Sequence, residues 1–194
     1  MTMLNRAIFL DRDGTVNVEV GYVNHLDRLE LYPWTAEAIR LINQAGYKAI
    51  VLTNQSGVAR KYMTEELVRK IHEKLQSELR RQGAYLDAIY YCPHHPAAPD
   101  PAYRIDCECH KPKPGMVERG RREFNLDLTQ SFVIGDKYLD IELARNVGAK
   151  GVLVLTGYGL GEYEHLSHTW PKQPDYVAES LLAAVQWILN QGRD

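Results

Sequence analysis

"RAIFLDRDGT" (residues 6–15) runs four apolar residues directly into two carboxylates, Asp11 and Asp13, followed by Gly14. An uninterrupted apolar run that ends on a charge reads as a strand buried on both faces, delivering polar side chains at its end. The pattern recurs outward from there in "YKAIVLT" (47–53), "LDAIYY" (86–91), "SFVIGD" (131–136), "KGVLVLT" (150–156) and the shorter "PDYVA" (174–178). Helical stripes alternate with these runs. Thr35 is expected to cap a helix through Ala45, with Ala38, Ile39, Leu41 and Ile42 inward and Gly46 as its stop. Thr64 is expected to cap a longer one to about Gln82, with Leu67, Ile71, Leu75 and Leu79 on one side and Gly83 beyond it. Residues 115–124, 138–147 and 180–190 complete the set. Strands that alternate with helices and are apolar throughout predict a single α/β, Rossmann-like parallel sheet with helices on both faces. No repeat, low-complexity tract or linker divides the chain, so one domain is expected over residues 1–194.

Binding sites in such sheets lie at the carboxyl ends of the strands. Asp11 and Asp13 follow the first strand, Thr53, Asn54, Gln55 and Ser56 the second, and Gly135, Asp136 and Lys137 the fourth. After the third comes a proline-studded loop holding all three cysteines, Cys92, Cys107 and Cys109. Turn chemistry alone accounts for any one of these clusters. Four of them on one rim point to a site.

Two carboxylates two residues apart at a loop mouth suit a hard cation such as Mg²⁺, and a carboxylate can also attack phosphorus. On the residues Asp11–Thr15, Thr53, Lys111 before a proline, and Asp136 through Asp140, the chain resembles the haloacid-dehalogenase-like phosphatases. The resemblance runs from about residue 7 to 155. It implies Asp11 as nucleophile through an aspartyl-phosphate and Asp13 as the acid and base. It implies Thr53 and Lys111 as stabilisers of phosphoryl charge, and Mg²⁺ held by Asp11, Asp136 and Asp13, the last through its carbonyl. For Asp13 to serve as acid, neighbouring carboxylates and desolvation are expected to raise its pKa. Asp140, one helical turn beyond Asp136, reads either as an orienting group for Lys137 or a metal-bound water, or as a solvated helix charge.

Cys92, His94, Cys107 and Cys109 offer three thiolates and an imidazole, the stoichiometry of a closed structural zinc site, although each pair has one intervening residue where fingers have two. His95 and His110 are rival ligands, and free structural cysteines are the bland alternative. A loop with five prolines between Cys92 and Pro114 has little core of its own, and this favours a metal staple over residues 92–110. The short intervals around this loop leave no room for a separate cap domain.

"FLDRDGT", "GYV", "TNQSGVAR", "YYCPHHP" and "CECHKPKPGM" together resemble a narrower branch, the heptose-bisphosphate and histidinol-phosphate phosphatases. The first of these removes the 7-phosphate of D-glycero-D-manno-heptose 1,7-bisphosphate in bacterial heptose-nucleotide synthesis, for lipopolysaccharide core or S-layer glycan. The resemblance places the substrate on Asp11, Arg12, Asp13, Glu19, Val20, Gly21 and Tyr22, on Thr53 through Ser56, and on His110, Lys111 and Lys137. His110 stands where such enzymes usually carry arginine, so Arg60 and Lys113 become candidates to compensate. A sugar phosphate is therefore the expected substrate, with histidinol phosphate the alternative. A zinc-dependent nucleic-acid-binding module is the reading from another class. A net charge of −2 and scattered tyrosines argue against it, since such a module wants a basic stripe with interleaved aromatics. No stretch approaches the ~18 apolar residues of a membrane span, and residues 1–15 do not make a signal peptide. A cytoplasmic monomer is expected.

Overall fold

The computed structural model describes residues 4–191; residues 1–3 and 192–194, the ends of the expected domain, lie outside the described residues. The elements are β1 (Ala7–Leu10), α1 (Thr35–Gln44), β2 (Lys48–Asn54), α2 (Glu65–Arg81), β3 (Ala88–Cys92), α3 (Gly115–Phe124), β4 (Phe132–Gly135), α4 (Tyr138–Val147), β5 (Lys150–Val154), α5 (Gly159–Leu166), β6 (Tyr176–Ala178) and α6 (Leu181–Asn190). The six strands form one parallel sheet in the order β3-β2-β1-β4-β5-β6. The order reverses between β1 and β4, so a crevice opens at their carboxyl ends. That crevice is where the two most acidic strand ends emerge.

The apolar runs are continuous because alternate residues serve opposite faces. Ile8 and Leu10 join Val51, Ile134 and Val152 under α1, α2 and α6. Ala7 and Phe9 join Ile50, Leu52 and Val133 under α3 and α4. The buried strand residues thus find hydrophobic neighbours on both faces, which is why the sequence shows no polar alternation. Cys92 is the last residue of β3 and is completely buried in the second face. Cys107 and Cys109 pack against that face too, so the cysteine loop is less bare than its composition suggests.

Two helix expectations change. Thr64 does cap α2, its side chain accepting from the Leu67 amide at 3.1 Å. Thr35 instead is the first helical residue of α1, and its buried hydroxyl donates to the Val16 carbonyl at 2.7 Å. It ties the loop after β1 to the helix rather than capping it. The other change is α5, which the sequence reading passes over. Only Gly159 in it is buried, so there is no apolar stripe to read. Among the described residues the segments over the rim are loops and one 3₁₀ turn, Leu26–Arg28, and no cap domain is present.

Leu75 is fully buried in the α2 stripe, whereas Leu160 on α5 is about half exposed. Leu75→Ala should lower stability by about 2–5 kcal/mol, read as a shifted urea midpoint. Leu160→Ala should stay within about 0.5 kcal/mol of the parent.

Candidate active site

The segments at and after the ends of β1 to β5 each contribute part of a single cavity of about 340 Å³. Its wall carries Asp11, Asp13, Glu19, Gly21, Tyr22, Thr53, Asn54, Gln55, Ser56, His110, Lys111 and Lys137, all expected from the sequence. His95, Leu139 and Tyr158 also line it and were not anticipated as wall residues. Tyr158 comes from the turn into α5, the element with no sequence signal. Arg12 and Val20 are expected site residues that do not reach the wall. The Arg12 side chain is completely buried and turned toward Asp13, while Val20 packs against the core.

At the centre, Lys111 Nζ donates to Asp11 Oδ1 at 2.8 Å and to Asp140 Oδ1 at 2.6 Å. Burial alone would push this ammonium down, but the two carboxylates outweigh it and hold its pKa above the ordinary lysine value. Asp140 is therefore neither a solvated helix charge nor the partner of Lys137. It is fully buried and orients Lys111. Thr53 is buried as well, and Gln55 links it to the acid–base candidate, donating to Thr53 Oγ1 at 2.7 Å and to Asp13 Oδ2 at 2.9 Å.

Asp11, Asp136 and Asp140 bring carboxylate oxygens within 4.8 Å of one another. Burial, then repulsion by Asp11, drives the Asp136 carboxyl up to about 8. Asp136 Oδ1 and Asp140 Oδ2 are buried without a hydrogen-bond partner. Crowded carboxylates with orphaned oxygens fit a divalent cation taking hard oxygen ligands. Asp136 is held in place from two sides, because a Cβ on Gly14 (φ +86°) or Gly157 (φ +56°) would collide with its carboxylate. Both glycines also adopt backbone angles that side chains resist. The Asp13 carboxylate is not part of this cluster, so only its carbonyl remains for the metal role expected of it.

Asp13 departs from expectation in its proton affinity. Burial raises its pKa, but the Arg12 charge and hydrogen bonds from Asn17, Arg12 and Gln55 more than reverse this, and the net shift is downward. The resting site keeps this carboxylate ionised.

At the cysteine loop, Cys92 Sγ lies 3.0 Å from Cys109 Sγ and 3.5 Å from Cys107 Sγ, and His94 Nδ1 lies 3.4 Å from Cys109 Sγ. The four ligand atoms converge within 4.8 Å, a set that fits a closed tetrahedral metal. His95 turns the other way, its Nε2 3.2 Å from Arg60 Nη2. Lys113 pairs with Asp106 at 2.5 Å on the loop surface and does not face the cavity.

The HAD-hydrolase-like family model matches residues 108–184. The chain is 44% identical over 191 residues to D-glycero-D-manno-heptose-1,7-bisphosphate 7-phosphatase of Thermosynechococcus vestitus, covering 94% of each. It belongs to that phosphatase family. The β-anomer-named enzyme of Yersinia pestis is 43% identical, over 100% of this chain and 95% of its own. The crystal structure of D,D-heptose 1.7-bisphosphate phosphatase from B. bronchiseptica, complexed with magnesium and phosphate, matches with a TM-score of 0.85 at 32% identity. It covers 96% of this chain and 99% of that one. The chain is thus a phosphatase, a phosphomonoester hydrolase of HAD-like fold. No helix among the described residues is long and apolar enough to cross a membrane.

His72 makes one pH prediction. Burial, reinforced by Arg12, lowers its pKa from 6.5 to about 3. The unfolded chain takes up this proton below about 6.5 and the folded one does not. Folding stability should therefore fall as pH drops from about 6.5 toward about 3. Urea titrations across that window should show a shallower decline for His72→Gln.

Proposed function

We propose that this chain removes the 7-phosphate of D-glycero-D-manno-heptose 1,7-bisphosphate through an aspartyl-phosphate on Asp11. The observation that carries the reading is the meeting of Asp11, Asp13, Thr53 and Lys111 at one cavity, in a chain alike end to end with phosphatases of that name. Asp11 attacks phosphorus, and the bond from phosphorus to the sugar oxygen breaks as the new one forms. Asp13 gives that oxygen its proton. The phosphoryl group brings negative charge beside Asp13, and this raises the proton affinity that Arg12 lowers at rest. Water then attacks the phosphorus, its proton passes to Asp13, and inorganic phosphate leaves with Asp11 restored. Lys111 and Thr53 stabilise the charge on the phosphoryl oxygens.

Mg²⁺, held by Asp11, Asp136 and the Asp13 carbonyl, would screen phosphoryl charge from the carboxylates. Zn²⁺, held by Cys92, His94, Cys107 and Cys109, would brace the loop that carries His110 and Lys111.

For the far end of the substrate, His95, His110 and Lys137 offer donors along the wall. Glu19 is the rim's one carboxylate outside the catalytic group, and it is already engaged by the Gly21 amide at 2.5 Å and by Lys137 at 4.0 Å. A cationic amine such as that of histidinol phosphate therefore finds no free acidic partner, which favours the bisphosphate. The chain acts as one domain and as a monomer, in the cytoplasm and without nucleic acid, in heptose-nucleotide synthesis.

Asp11→Asn should cut turnover by roughly a thousandfold or more while the fold remains. Comparing heptose bisphosphate, fructose bisphosphate and histidinol phosphate should show the highest kcat/KM for the first, with the anomeric phosphate retained in its product. His110→Ala should lower that value and His110→Arg should keep or raise it. Equal hydrolysis of histidinol phosphate would remove the substrate assignment and leave the phosphatase mechanism in place.

Protein purified without chelators should contain about one zinc per chain. Cys107→Ser and His94→Ala should lose it, and His95→Ala should keep it, by elemental analysis.

A further inference from the structure

Arg12 is the largest fully buried side chain among the described residues, and it lies between the two aspartates of the cavity without reaching the cavity wall. A buried guanidinium must place its donors, and here they have two destinations. Nε donates to Asp13 Oδ1 at 3.2 Å, and Nη2 lies 2.9 Å from both Asp13 oxygens. Nη1 lies 3.1 Å from His72 Nε2. A guanidinium only donates, so His72 Nε2 must be the acceptor. The imidazole is then neutral with its proton on Nδ1. The lowered proton affinity of His72 agrees with that tautomer.

His72 sits on α2, whose inward stripe anchors it to the core, and its ring meets Tyr91 of β3 edge-on with centroids 5.7 Å apart. On its far side it borders an open groove lined by Arg69, Arg80 and Arg81 of the same helix. The order of contact is thus helix, imidazole, guanidinium, carboxylate. Asn17 and Gln55 reach the same carboxylate from other directions, at 3.0 and 2.9 Å.

We propose that Arg12 and His72 are positioning residues for Asp13: His72 fixes the guanidinium plane, and that plane fixes the direction in which the Asp13 carboxylate faces the phosphoryl site. The proposal rests on the role of Asp13 as acid and base stated above, and not on which sugar is the substrate. Misplacing a proton donor by a fraction of an ångström is enough to cost a large part of the one hundred- to ten-thousandfold that such a group supplies.

The test separates positioning from mere support of the fold by the leaving group. A sugar alkoxide needs Asp13's proton to depart, whereas p-nitrophenolate leaves without one. kcat/KM reports the steps through phosphorylation of Asp11, so it isolates this difference. For His72→Leu, kcat/KM for fructose 1,6-bisphosphate should fall about tenfold and that for p-nitrophenyl phosphate should change less than about twofold. His72→Gln, whose amide oxygen can again accept from Arg12, should recover most of the loss. Arg12→Lys, which cannot grip a carboxylate with a planar fork, should behave like His72→Leu or worse. Equal losses on both substrates, no loss on either, or no recovery in His72→Gln with unchanged thermal stability would overturn the proposal. If His72→Leu does not fold, the comparison of His72→Gln with Arg12→Lys decides by the same ratio. Failure of the heptose assignment would show separately, in the parent enzyme's substrate panel.

Discussion

Three carboxylates, Asp11, Asp136 and Asp140, are buried within 4.8 Å of one another, and Lys111 is the ammonium that touches two of them. Placing like charges together away from water is expensive unless cations and hydrogen bonds compensate them. The arrangement around β1 and β4 meets that demand. The parallel register of β1 with β4 aligns the two strand ends, and the Asp11 amide continues the ladder by donating to the Ile134 carbonyl at 2.9 Å. The Tyr158 amide donates to Asp136 Oδ2 at 2.9 Å. Two carboxylate oxygens are still left over, and they are the ones a divalent cation would take.

That constraint extends to the cysteine loop. Lys111 has to enter the crevice from a loop that begins at the edge strand β3 and crosses β2. Asn54, at the end of β2, holds the Lys111 backbone from both sides: its side chain accepts from the Lys111 amide at 3.0 Å and donates to its carbonyl at 3.2 Å. The thiols and His94 gather immediately before this point, and Cys92 is anchored in the core face beneath. A loop rich in proline gains few backbone hydrogen bonds of its own. These two clamps hold the loop, and the placement of Lys111 beside Asp11 and Asp140 depends on them.

Much of this was legible in the sequence because burial on both faces leaves an unmistakable record. The strands, their order in the chain and the polar residues at their ends follow from apolar runs bounded by charges. The spacing left His95 and His110 as rivals to His94, and it is the fold that gathers His94 with the three thiols. What could not be read depends on orientation. Asp140 lies in the first turn of α4, just beyond the turn that carries Asp136, but only the fold shows that its side chain points inward to Lys111. Arg12 looks like a loop charge between two aspartates, and nothing local reveals that its side chain is swallowed whole. Helix α5 lacks an apolar stripe because only Gly159 of it is buried. The raised proton affinity expected for Asp13 failed for the same reason as Arg12: the deciding neighbour was one residue away, in a direction the sequence does not encode.

The rim carries the last piece of electrostatics. His110 is half-buried, and burial, with help from His95 and Lys111, holds its proton affinity below the ordinary histidine value. An anion beside such an imidazole would work against that shift and favour its protonation. An arginine at this position would be charged at all times and would add to the cationic load that Lys111 already places on the site. A histidine at this position would let rim charge respond to occupancy. Under the proposed bisphosphate reading, a distal phosphate held here would bind with a pH dependence that a guanidinium would not give, while the charges around Asp11 and Lys111 stay as the buried carboxylates require.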